Sequence, residues 1–190
     1  MNRYILFLLL FAFQSTIYSQ VSIELRGNSI LLNGVVLKTN PDKKELDSLL
    51  DEKSIEGKII GSFDPNTKET SWEKRFSFRF KISGVSIEYY AKEKDIYSVR
   101  LFMKSSHKDP EKDNLITYPN QFKDGAMILD SSATMEQVIP LLDKQSVLSI
   151  GMRPYYPRKI PSIVYRRNDF YIELMFHPEN KKIKEILIRR

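Results

Sequence analysis

A period of two runs through the middle of this chain and limits what it can fold into. Phe76, Phe78, Phe80 and Ile82 alternate with Ser77, Arg79 and Lys81. Successive side chains of a strand point to opposite faces, so the pattern reads as a strand with one buried face. Ser83-Gly84 turns the chain, and Val85, Ile87 and Tyr89 alternate again. Beyond a charged turn at Lys92 to Asp95, Tyr97, Val99, Leu101 and Met103 alternate a third time. Runs of this kind in series predict an antiparallel meander. A second set predicts another: Ile163 to Tyr165, then Phe170, Ile172, Leu174 and Phe176, then Ile183 to Ile188. Asn168-Asp169 and Pro178-Glu179-Asn180 supply its turns.

Each meander follows a shorter strand and a helical stretch. Ile23 and Leu25 alternate with polar neighbours, Gly27-Asn28 turns, and Ile30 to Leu32 precede Asn33-Gly34, a strong hairpin signal because both residues tolerate positive φ. Asn40 reads as a helix N-cap, with Pro41 at the first helical position and Asp42 in the first turn. Leu46, Leu49 and Leu50 form one apolar stripe, and the helix is expected to end by Lys53. Later, Ala126 to Leu129 reads as a strand, and Thr134 with Gln137 fits a capping box. Met135, Val138 and Leu142 continue a helical stripe. Pro140 inside it costs roughly 3 kcal/mol, so this helix should be short or kinked.

Residues 54–75 are polar and poorly periodic and read as loop, and Pro154, Pro157 and Pro161 mark a second, Pro-rich loop. Residues 105–124 are charged and turn-rich and read as a linker, with a short edge strand at Leu115 to Tyr118. The expectation is an α+β fold of two similar strand–helix–meander units, 20–104 and 125–190. Each would form an antiparallel sheet with a helix packed on one face. Val85-x-Ile87-Glu88-Tyr89 aligns without gaps on Phe170-x-Ile172-Glu173-Leu174, as an internal repeat would.

Residues 1–19 read as a secretory signal peptide. Arg3 supplies the positive end, Tyr4 to Phe13 the apolar run, and Ser19 a small residue for cleavage. That run is too short to cross a bilayer, which needs roughly 20 apolar residues. The exported chain would begin at Gln20, soluble in the periplasm or outside the cell, with no transmembrane segment. With no cysteine it can carry neither a lipidated cysteine nor a disulfide, so a packed core must hold it. A glutamine after a Ser-ending cleavage site, in a Lys- and Ile-rich chain, resembles exported proteins of the Bacteroidetes. The formal charge is +6. Both signs are interspersed, as on a solvated surface, which argues against a nucleic-acid partner. A protein or an anionic envelope component is the expected partner.

Thr134-Met-Glu-Gln-Val138-x-x-Leu141-Leu142, a capped helix before an apolar meander, resembles the outer-membrane assembly lipoprotein fold and the related beta-lactamase-inhibitor-protein repeats. Leu32-Asn33-Gly34, the stretch Asn40 to Leu50 and Gly84 to Tyr89 are similar to bacterial domains of the same order. The resemblance covers most of residues 21–190. It implies a binding or scaffolding role without catalysis. The missing lipidated cysteine departs from the lipoprotein pattern and counts against an anchoring role.

Catalytic constellations are hard to assemble from this sequence. His107 lies beside Asp109 and His177 near Glu179, too few ligands for a metal site, and both read as solvated turn histidines. Without cysteine or a Gly-x-Ser-x-Gly elbow, no nucleophile is marked. Seven glycines form no phosphate loop, and no cofactor is expected. Glu45, Asp51 and Glu52 read as solvating charge on the polar side of a helix. The most distinctive stretch places Arg153, Tyr155, Tyr156, Arg158 and Lys159 among prolines, with Tyr165, Arg166 and Arg167 close behind. Tyr and Arg are enriched at binding hot spots, and proline lowers the entropy cost of ordering, so these eight residues are the expected contact surface. The competing reading is a Pro-stiffened crossover whose tyrosines cap the core. Trp72 is a second anchor candidate, or folds back on the sheet. The functional expectation is an exported, non-catalytic binding or scaffold protein. An envelope-polymer hydrolase, or an inhibitor or immunity protein that blocks a partner enzyme, are the alternatives.

Overall fold

The alternating runs pair as strands in series. The computed structural model describes residues 20–39, 41–64, 69–91, 95–108, 115–155 and 158–190. The first meander is β4 (Ile55–Asp64), β5 (Glu69–Phe80), β6 (Val85–Tyr90) and β7 (Ile96–Phe102). The second is β12 (Val147–Tyr155), β13 (Arg158–Arg167), β14 (Phe170–Phe176) and β15 (Ile183–Arg189). β7 pairs with β15, so the two meanders merge into one antiparallel eight-stranded sheet, ordered β12-β13-β14-β15-β7-β6-β5-β4. β6 and β14, whose sequences align, are each the third strand of their meander.

A second sheet forms from short strands. β1 (Ser22–Arg26), β2 (Ser29–Leu32) and β3 (Val35–Val36) lie beside β10 (Gln121–Asp124) and β11 (Met127–Leu129), in the order β11-β10-β1-β2-β3. Only β1 and β10 run parallel here, Ile23 opposite Phe122. β8 (Lys104–Lys108) and β9 (Leu115–Thr117) form a two-stranded sheet of their own.

The α+β expectation is overturned. Among the described residues the structure is mostly β, 59% strand against 10% helix. The described helices are short: α1 (Lys43–Leu50) and α2 (Met135–Val138), the latter running into a 3-10 turn at Ile139–Leu141. There are three sheets rather than two sheets each carrying a helix. The stretch read as loop over 54–75 is instead β4 and most of β5, the longest hairpin of the fold. β4 is an edge strand, and its sequence lacks the period that a half-buried strand shows. Of the Pro-rich stretch, Pro154 and Pro161 are likewise in strands, and Pro157 lies outside the described residues. Pro154 sits on the edge strand β12, where a missing N–H is tolerated, and Pro161 lies opposite Met152.

Helix ends follow local chemistry. α1 is capped by Asp42, whose carboxylate accepts the Lys44 N–H at 3.4 Å. Asn40, expected in that role, lies outside the described residues, and the helix ends at Leu50, before Lys53 as expected, because Asp51 turns left-handed at φ 49°. The capping box forms as read, with Gln137 N–H donating to Thr134 Oγ1 at 3.4 Å and Thr134 N–H to Gln137 Oε1 at 2.9 Å. Pro140 keeps α2 short by falling in the 3-10 turn.

One apolar cluster joins the two larger sheets. Val85, Ile87, Val99, Leu101, Ile172, Leu174, Ile186 and Ile188 of the large sheet meet Ile23, Leu32, Phe122 and Leu129 of the small one, with Leu46 and Leu50 of α1. These side chains are nearly or wholly buried and lie on one face of the large sheet. The opposite, outer face carries the polar half of the alternation. Among the described residues no helix is long and apolar enough to cross a membrane. The proposed signal segment, 1–19, lies outside them.

Candidate functional site

On that outer face, register places like chemistry side by side. Arg79 of β5, Ser86 of β6 and Arg100 of β7 are partners across three strands. The next row is Ser77, Glu88 and Ser98. The first row and Glu88 of the second form one wall of a cleft of about 730 Å³, which Ser105 and His107 of β8, Ile116 of β9, and Tyr118 also line.

Three contacts fix the base of this cleft. Glu52, just past α1, accepts the N–H groups of Ile82 and Ser83 and the Ser83 hydroxyl. Gly84 follows at φ +66°, and the Tyr118 ring lies so close that a Cβ there would come within 2.9 Å of it. Asn120 is fully buried. Its Nδ2 donates to Ser83 O at 2.9 Å and Phe102 O at 2.8 Å, and its Oδ1 accepts the Val21 N–H at 3.3 Å. One side chain thus ties the β5–β6 turn, the end of β7 and the start of β1 together.

The charges of the cleft are unevenly committed. Glu88 pairs with Arg75 at 3.3 Å, and the Arg75 guanidinium lies 4.1 Å over the Tyr97 ring. Arg100 pairs with the buried Glu185 at 2.9 Å. Among the described residues Arg79 has no ion-pair partner, and it is exposed. Glu88 is the one described carboxylate lining the cleft, against Arg79, Lys81 and Arg100. The field there favours an anionic group. His107 also lines the cleft. Among the described residues no three His, Asp or Glu side chains converge to hold a metal.

The expected Tyr/Arg surface is divided by the fold. Arg153 pairs with Glu173 on the outer face. The Tyr155 hydroxyl donates to Glu185 at 3.2 Å and its ring sits under the Lys184 ammonium at 3.8 Å. Burial, and then Glu185, push the Tyr155 phenol up to about 12. Tyr165 points the other way, into the core, its hydroxyl donating to Asp124 at 3.1 Å and its phenol pushed up by burial. Arg167 pairs with the same Asp124 at 3.1 Å. Arg166 donates to Asn168 O and covers the Tyr171 ring. Arg158, paired with Glu179, and Lys159 are exposed. Tyr156 lies outside the described residues. Trp72 lies in β5, its side chain outside them as well.

His177 departs from its solvated reading. It is 6% exposed, 4.0 Å from Glu179, and among the described residues its Nε2 has no partner. Burial first, then Lys184 and Lys104, hold its pKa below the ordinary histidine value. The residues that sequence reasoning passed over as site members are Arg79, Arg100, Ser86 and Asn120, and Glu52, read as solvating charge, is instead tied to Ile82 and Ser83. A signal for the two arginines was present: Ser77-Phe-Arg79 and Ser98-Val-Arg100 repeat Ser-x-Arg on the polar positions of two alternating runs. Compared with protein-family models, with curated proteins and with solved structures, the chain matches none.

Proposed function

We propose that the chain is an exported, non-catalytic binding protein whose outer-face cleft takes an acidic segment of a protein partner. The observation that carries this is the row Arg79–Ser86–Arg100, which sets two guanidinium groups either side of a small hydroxyl. Strands two apart in a sheet are about 10 Å apart, so a partner's carboxylate fits over Ser86 within reach of both. Phe102, Ile116 and Tyr118 add apolar wall, suited to an acidic segment that also carries apolar side chains. Export is part of the same proposal and is supported by Arg3, the apolar run Tyr4 to Phe13 and Ser19. Arg158 and Lys159 are proposed as a secondary contact, because they stand exposed side by side at the start of β13.

The test is a titration with a fluorescent peptide of alternating Glu and Phe, compared with its Gln-for-Glu counterpart. Wild-type protein should bind the acidic peptide, weakening as salt rises. Arg79→Glu should lose at least tenfold in affinity with the fold intact. Equal binding of both peptides, or no effect of Arg79→Glu, overturns the assignment.

A further inference from the structure

The large sheet ends in two edges, β4 and β12. An edge strand exposes unpaired N–H and C=O groups, and proteins usually protect it with charge, proline or a covering element. β4 opens Ile55-Glu56-Gly57-Lys58, charged at alternate positions. β12 is different over most of its length. Val147 to Met152 contains no charged residue, and Leu148, Ile150 and Met152 are 54%, 49% and 56% exposed. Ile150 and Met152 lie opposite Ile163 and Pro161 of β13, both buried. They continue the apolar inner face of the sheet beyond the point where the fold covers it.

We infer that β12 pairs antiparallel with β12 of a second copy, joining two eight-stranded sheets edge to edge. The residues themselves select this occupant. A two-fold centred on Ile150 sets Ile150 opposite its own copy and brings Met152 in both directions to Leu148, at the bulge between Val147 and Ser149, with Arg153 facing the uncharged end of the partner strand beyond it. Each exposed apolar side chain meets another, and no like charges face each other. Parallel pairing would instead stack Arg153 on Arg153 and bring both Arg158–Lys159 ends together. In the antiparallel arrangement Tyr155 is five residues from the centre, so the two basic ends stand about 34 Å apart, several Debye lengths at physiological salt.

The absence of cysteine makes the test direct. Ile150→Cys places the only thiol opposite itself, and facing Cα atoms in an antiparallel pair are about 4.5–5.5 Å apart, within disulfide reach. Under mild oxidation the full chain carrying Ile150→Cys should run as a covalent dimer, and Thr39→Cys, exposed elsewhere, should not. A mixture of Leu148→Cys and Met152→Cys chains should cross-link faster than either alone. Wild type should sediment as a dimer, and Ile150→Lys as a folded monomer. A wild-type monomer at high protein concentration, or Ile150→Cys cross-linking no faster than Thr39→Cys, overturns the inference. The cross-linking comparison stands even if Ile150→Lys fails to fold.

Discussion

Glu52 accepts both the N–H and the hydroxyl of Ser83 through one oxygen, at 2.8 and 2.6 Å, while its other oxygen takes the Ile82 N–H at 2.7 Å. The turn at the base of the cleft is therefore tied to the residue that follows α1. Hydrogen bonds to a charged acceptor contribute about 1.5–3 kcal/mol each at best, and these three share one group, so Glu52→Ala should lower the unfolding free energy by about 2–4 kcal/mol in a urea titration. Glu52→Gln should cost less, since one acceptor oxygen survives.

Gly84 and Tyr118 should be coupled. A methyl group at Gly84 meets both a positive φ and the Tyr118 ring. The left-handed backbone alone costs a non-glycine residue about 1–2 kcal/mol. Gly84→Ala should exceed that in the wild type and fall back to it in a Tyr118→Ala background. A double-mutant cycle on thermal or urea stability gives the difference, and additivity would count against the ring contact.

Asn120 cannot be replaced by an acid without a pH signature. Its amide donates to two carbonyls, and a carboxylate would present oxygen to oxygen there. Asn120→Ala should cost about 3 kcal/mol by leaving buried backbone groups unpaired. Asn120→Asp should be worse at neutral pH. Burial and the two carbonyls raise the new carboxyl's pKa in the fold, so its penalty should shrink as pH falls through that raised value. Stability curves of the two variants across pH 4–8 should cross or converge on the acid side.

His177 should make the fold acid-sensitive. The folded chain holds this imidazole neutral to a lower pH than the unfolded chain, because burial and two lysines oppose its charge. Above about pH 6.5 the group is neutral in both states and its contribution is fully present. Below that the unfolded chain takes the proton first, and stability falls with pH until the folded value is reached. His177→Gln should flatten this part of the pH–stability profile, read from midpoints of urea unfolding.

What the sequence made legible was whatever is half-buried. Phe76 to Phe80, Val85 to Tyr89, Tyr97 to Leu101 and Phe170 to Phe176 became strand, their alternation separating a core-facing side from an outer one, while Ile82, read as the end of the first run, lies 56% exposed in the turn after β5. β4 and β12 had no such contrast. As edge strands they lack a neighbour on one side, and prolines in and beside β12 read as loop punctuation. The candidate site was half visible: Arg79, Ser86 and Arg100 are polar members of those same runs, but their meeting in one row depends on strand register. Glu52 was misread because its position was counted along a helix that stops at Leu50. Asn120 carried no local signal, since its three partners lie 18, 37 and 99 residues away.

The pairing of β7 with β15 also sets the order in which this molecule can come into being. The strand nearest the carboxyl end occupies the middle of the large sheet, and β1 at the other end waits for β10. Residues 55–102 on their own would leave β7 as a naked apolar margin until β15 arrives. Assembly dominated by such distant partnerships is intrinsically slow, and the half-made sheet is sticky while it waits. A variant that weakens β15 should therefore reveal itself first during synthesis, as lost yield and aggregates, before any change in the finished protein can be measured.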